Sequence, residues 1–163
     1  MSSLTSLVGT LALLGSALVG GVFFAFSSFV MKALARVPAS QGIAVMQSIN
    51  VVVINPSFLV AFLGTVLLSF GVAVLALVSR SHPSTGFFLG GAIFYCVGTF
   101  LVTMFGNVPL NDRLAAVSAT DPGAAGFWRH YLKRWTTWNH IRTVAAMLAV
   151  LLYTLGLMQN GAM

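Results

Sequence analysis

A chain of 163 residues with 58% hydrophobic and 6% charged residues cannot clothe a water-soluble globule of this size. Its net charge of +6, which in a soluble protein would suggest nucleic acid, therefore points to membrane topology instead. Continuously apolar runs near 4–31, 52–79, 85–106 and 137–158 each match the roughly 20 residues that cross a hydrocarbon core about 30 Å thick. The expected fold is all-α, an integral membrane four-helix transmembrane bundle forming one domain over 1–163, because the runs lack the alternation of barrel strands.

The first run has no basic leader and is longer than a signal-peptide core, so it is expected to remain in the mature chain. Gly9, Ala12, Ser16, Gly20, Phe23 and Ser27 fall on one stripe at helical spacing, and small residues in such a stripe let helices approach closely. The aromatic run Phe23–Phe29 reads as packing. Residues 32–50 read as a short connection with turn chemistry in RVPASQG, followed by Gln47 and Asn50 where the second span begins. Asn55 precedes Pro56, where a side-chain amide can satisfy backbone groups that proline frees. The 80–84 connection is a tight turn with His82 in solvent.

In the third span Cys96 reads as a small packing residue that forms no disulfide. Tyr95, Thr99 and Thr103 form a drifting stripe toward Asn107 and Asn111, which flank Pro109 in NVPLN; Pro109 is expected to end the span. After the Asp121-Pro122-Gly123 turn, Phe127, Trp128, Tyr131, Leu132 and Trp135 recur opposite Arg129, His130, Lys133 and Arg134. That pattern predicts an amphipathic interfacial helix near 124–136, before the last span.

In the fourth span Ala145, Ala146, Ala149 and Gly156 should face inward, with Val144, Met147, Leu148, Leu151 and Leu155 toward lipid. Extended backward, this projection puts Trp135, Asn139 and Arg142 at the inner face and His140 nearer the outer one. An arginine below the interface costs on the order of 3 kcal/mol, and neither Asp112 nor Asp121 lies in a span. Amide oxygens, water or a bound anion are left as its partners, or it snorkels to headgroups. With four spans, one side carries Arg80 and the other Lys32, Arg36, Arg113, Arg129, Lys133 and Arg134. The positive-inside rule then places both termini outside and the basic loops 32–50 and 107–136 in the cytoplasm, in a bacterial inner membrane.

No carboxylate pair lies in a span, which leaves proton-relay and di-iron chemistry without parts. The three histidines are scattered, so a three-histidine metal site is not expected. A haem held by His140 is an alternative the sequence leaves open.

The segments GVFFAFSSFVMKALARVP, GIAVMQSIN, GTFLVTMFGNVPLN and WTTWNHIRT resemble a widespread family of small four-span membrane proteins that includes fungal and bacterial anthrone oxygenases. The resemblance covers nearly the whole chain, and NVPLN and WNHIRT are its most specific parts. It implies oxidation of an anthrone to an anthraquinone with molecular oxygen as co-substrate and with no metal or organic cofactor. In that scheme Arg142, with Asn107, Asn111 or Asn139, holds an oxyanion, Trp135 and Trp138 flank a lipophilic aromatic molecule, Asn50 lies at its rim, and His140 is the base by chemistry. A different reading makes the same cluster a clamp for a lipid headgroup or quinone in a non-catalytic accessory subunit, with membrane lipids as partners. A transporter is weaker, since inverted repeats are absent and only Asn55-Pro56 suggests a broken helix.

Overall fold

Four helices follow the hydropathy, and a computed structural model describes residues 2–161 of them and their connections. They are α1 (Ser3–Leu34), α3 (Pro56–Val78), α4 (Thr85–Ala115) and α5 (Ala124–Gly161), with a shorter α2 (Ala39–Val52) between the first two. Among the described residues there are no strands. The four long helices are long and apolar enough to cross a membrane, as fits an integral membrane protein. Each packs on two others, in the cyclic order α1, α3, α4, α5.

The seams form where small residues let helices close. Gly9, Ala12, Ser16, Gly20 and Phe23 are buried along α1, and Ala145, Ala146, Ala149 and Gly156 along α5. Val144, Met147, Leu151 and Leu155 of α5 are exposed on the opposite face, as the projection expects. A Cβ added at Gly98 would stand 2.5 Å from the Ala145 Cβ, so glycine sets the approach of α4 to α5. Tyr95, Phe62, Phe23 and Tyr153 fill the space between the four helices.

Three boundaries differ from the sequence expectation. First, residues 124–136 are not a separate interfacial helix. They are the opening turns of the 38-residue α5, because nothing between Leu132 and His140 breaks the helix. Their apolar face covers protein rather than lipid: Trp128, Tyr131 and Trp135 are buried with Ile43 and Met46 of α2, Leu114 of α4 and Met31 and Leu34 of α1. Second, the connection after α1 contains α2, which supplies that cover; a Cβ at Gly42 would meet the Trp128 ring at 2.8 Å. Third, α4 runs through Pro109 to Ala115. It does so in a widened register, with i→i+5 turns at Phe94–Leu101 and Thr103–Asn107 just before the proline. A wider turn makes room for the ring that would otherwise strike the carbonyl four residues back. A further wide turn occupies Phe26–Val30 in α1.

At the end holding Ser3 and Asn160 the helices finish level, tied by Asn160 Nδ2 donating to Ser6 Oγ (2.7 Å) and Thr85 Oγ1 donating to Ser79 O (3.0 Å). At 1.5 Å per residue, α3 is about 35 Å long and α5 about 57 Å, so the excess length of α1, α4 and α5 projects at the opposite end, where α2 joins them. His82 is half-buried at the tight turn, its Nδ1 2.8 Å from Ser84 Oγ. At the start of α3, Asn55 behaves as its sequence context implies. Its Oδ1 accepts from Phe58 N (3.0 Å), its Nδ2 donates to Val52 O (2.9 Å), and Pro56 occupies the first turn.

Two substitutions test this packing. Gly98→Ala should destabilise the detergent-solubilised protein by about 1–3 kcal/mol through overpacking, read as a lowered thermal midpoint; an unchanged midpoint would mean that α4 and α5 are not in this close contact. Asn55→Ala should cost about 1 kcal/mol as a lost helix cap, measurable in the same melt, whereas a neutral result would show that Pro56 alone sets the start of α3.

Candidate functional site

Arg142 organises the polar interior where the four-helix section meets the projecting end. It lies eighteen residues before Asn160, roughly 27 Å along the helix, a depth close to the roughly 30 Å thickness of a hydrocarbon layer. Its side chain is 5% exposed. Nε donates to Asn139 Oδ1 (2.9 Å) and Nη1 to Thr103 Oγ1 (3.3 Å), while the guanidinium carbon sits 3.9 Å from the Phe23 ring centroid and 4.9 Å from that of Trp135. Among the described residues no carboxylate pairs with Arg142 and no hydrogen bond reaches its Nη2. Aromatic faces and amide oxygens therefore take the place of a counter-ion.

Asn139 holds that arrangement. Its Nδ2 donates to Phe23 O (2.8 Å) and to Ser27 Oγ (2.7 Å). Thr143 Oγ1 donates to Asn139 O (2.7 Å), so the Ser27 hydroxyl, 3.0 Å from Thr143 Oγ1, is the donor of that pair. The result is a closed ring of hydrogen bonds through Asn139, Ser27 and Thr143, with every polar atom of the Asn139 side chain engaged. A second tie lies one turn away: Tyr131 Oη and Trp135 Nε1 both donate to Asn111 Oδ1 at 2.8 Å, and Asn107 Nδ2 donates to Trp135 O at 3.1 Å.

Two buried polar atoms in this region have no partner, Asn107 Oδ1 and Asn50 Nδ2. Asn107 is 1% exposed, and Asn50 lies beside Tyr131 at the end of α2. Unpaired buried amide atoms cost about 1–3 kcal/mol each. They stand next to Tyr131 and Trp135, on the α5 stripe that continues to Asn139.

The structure thus gathers Asn50, Asn107, Asn111, Trp135, Asn139 and Arg142, and it separates two of the sequence candidates from them. Trp138 lies over Gly106, where a Cβ would meet its ring at 2.7 Å, and faces outward. His140 is exposed in a groove of about 370 Å³ between α1 and α5 that it shares with Ser27, Lys32 and Lys133. A second groove, about 400 Å³, runs between α4 and α5 past Trp138. Neither groove is lined by Asn107 or Arg142. Sequence reasoning did not assign Tyr131 and Thr143 to the site. Tyr131 stands on the same helical stripe as Trp135 and Asn139, which could have flagged it; Thr143 follows Asn139 by one turn.

From Thr99 through Thr103 and Asn107 to Asn111 the stripe of α4 stays on the side facing α5, with Thr99 Oγ1 donating to Arg142 O (3.4 Å), while Tyr95 Oη donates to Phe62 O of α3 (3.2 Å). A spacing of four would rotate about 40° per step on an ideal helix. The two wide turns absorb that rotation, since each takes up more residues per turn. Among the described residues no three His, Cys, Asp or Glu side chains come together in a way that could hold a metal ion.

No curated protein and no solved structure matches the chain. A family model described as anthrone oxygenase matches residues 56–152, from the start of α3 to within three turns of the end of α5. The match includes Thr103, Asn107, Asn111, Trp135, Asn139 and Arg142, and because it spans more than half of the 163 residues, the chain belongs to the anthrone oxygenase family.

Proposed function

We propose that the protein is an anthrone-oxygenase-like membrane enzyme. It oxidises a flat lipophilic phenolic molecule of the anthrone type to the quinone with molecular oxygen, without a metal or organic cofactor. The observation that carries this reading is Arg142, a buried cation with no carboxylate partner and an unpaired Nη2, lying over two aromatic rings.

An anthrone carries a methylene opposite its carbonyl. Removing one methylene proton leaves an enolate whose charge sits on oxygen, and a preplaced cation in a low-dielectric site stabilises that anion strongly. The enolate passes one electron to oxygen, and the resulting radical pair joins at the former methylene carbon as a peroxide. Loss of water from the peroxide forms the second carbonyl, so one methylene and one O2 give one C=O and one H2O.

In this reading the groove beside Ser27 is the approach for the substrate, and for Arg142 to hold the oxyanion the Ser27 and Asn139 side chains between groove and guanidinium must part. Ser27 and Asn139 link groove to guanidinium through the hydrogen bonds described above. His140 in the same groove is the base, since an imidazole nitrogen can accept the methylene proton. Asn107 and Asn111 fix Trp135, whose ring bounds the site, and Asn50 offers its unpaired amide at the rim. The six exposed basic residues at this end, against Arg80 at the other, support a bacterial inner-membrane protein with that end in the cytoplasm and both termini outside.

One observation favours a second reading. Arg142 is 5% exposed and lines neither groove, as suits a non-catalytic accessory subunit in which the cluster clamps the helices or a lipid or quinone at their edge. Oxygen uptake by the purified, metal-stripped protein with a model anthrone separates the two. The oxygenase reading expects protein-dependent uptake of one O2 per quinone formed, reduced on the order of 100-fold or more in Arg142→Gln and at least about 100-fold in His140→Gln. Uptake that is absent, or equal in wild type and Arg142→Gln, would leave the accessory reading standing.

A further inference from the structure

The groove between α4 and α5 is graded along its length. Its α4 wall steps one turn at a time through Phe105, Pro109 and Arg113, and its α5 wall through Trp138, Arg134 and His130. The two helices are antiparallel, so Phe105 faces the level of Trp138, Pro109 that of Arg134, and Arg113 that of His130. The first rung is apolar and the outer rungs are cationic, and no carboxylate lines the groove.

The depth of this gradient matches a membrane surface. Trp138 lies about 33 Å from the level end of the bundle, counted at 1.5 Å per residue from Asn160, and Arg134 and His130 follow at steps of about 6 Å. A hydrocarbon layer about 30 Å thick therefore ends near Trp138, and the cations stand in the headgroup zone. Phe105 is 78% exposed, and Met104 and Leu101 below it are also exposed, so the inner end of the groove opens sideways to acyl chains. Arg113 lines the groove, its guanidinium carbon 5.8 Å from the centroid of the Phe127 ring.

We propose that this groove is a binding site for one anionic phospholipid. Its phosphate is held by Arg113 and Arg134 with His130 beside them, and one acyl chain runs down over Gly106 and Phe105 with the Trp138 indole at the glycerol level. Guanidinium groups suit phosphate because their N–H donors engage two oxygens at once. The site is independent of the oxygenase chemistry, since none of its cations touches the Arg142 cluster.

The test is native mass spectrometry of the protein in detergent with an equimolar mixture of dioleoyl phosphatidylglycerol and dioleoyl phosphatidylcholine. The wild type should retain phosphatidylglycerol with at least about fivefold preference, and Arg113→Gln/Arg134→Gln should lower the preference below about twofold. Arg36→Gln/Arg129→Gln removes the same charge from the same end outside the groove and should leave the preference intact. No preference in the wild type would overturn the proposal, as would equal loss in the two double variants, which would reduce the effect to diffuse positive charge.

Discussion

The structure is arranged around one costly object, a guanidinium placed inside the edge of an apolar layer without an acidic partner. A charge there is tolerated only if dipoles and polarisable surfaces replace water. Thr103 and Asn139 supply oxygen atoms, and Phe23 and Trp135 supply ring faces. Each of these needs its own support. Asn139 must be oriented by α1 through Phe23 O and Ser27, and Trp135 by α4 through Asn107 and Asn111. The demand for solvation at one atom group thereby fixes how three helices meet, and it explains why amides concentrate at this end while the remainder of the bundle is held by glycine, alanine and aromatic packing.

That dependence also explains what could be read from the sequence. Hydropathy alone locates four spans, because the membrane imposes a length and a composition that leave few alternatives. The inward direction of Arg142 and Asn139 and the outward direction of His140 follow from helical projection off the Ala145, Ala146 and Ala149 face, and the structure places all three accordingly. Pattern reasoning loses its hold at the projecting end. An apolar face on residues 127–135 has the same signature whether it rests on lipid or on protein, and only the presence of α2 decides between them. Likewise Pro109 is a valid stop signal, and no local pattern announces that wide turns will carry the helix past it.

Membership of the anthrone oxygenase family rests on a match that begins at α3. It covers the helices that contribute Thr103, Asn107, Asn111, Asn139 and Arg142. Phe23, Ser27 and Asn50 stand outside it, on α1 and α2. The arginine and the amides that orient the surrounding indole thus belong to the portion shared with the family. The ring beneath the guanidinium and the hydroxyl facing the groove come from the part beyond the match.

The wide turns of α4 have a mechanical consequence of their own. In a regular helix every side chain is geared to every other, so rotating one end turns the whole rod. Two wide turns in series act as a slipping clutch: the half of α4 that packs by Gly91 and Gly98 against α5 and the half that presents Asn107 and Asn111 need not share one angular setting. Helix contact deep in the bundle and amide placement at its rim can then be adjusted separately on a single unbroken rod.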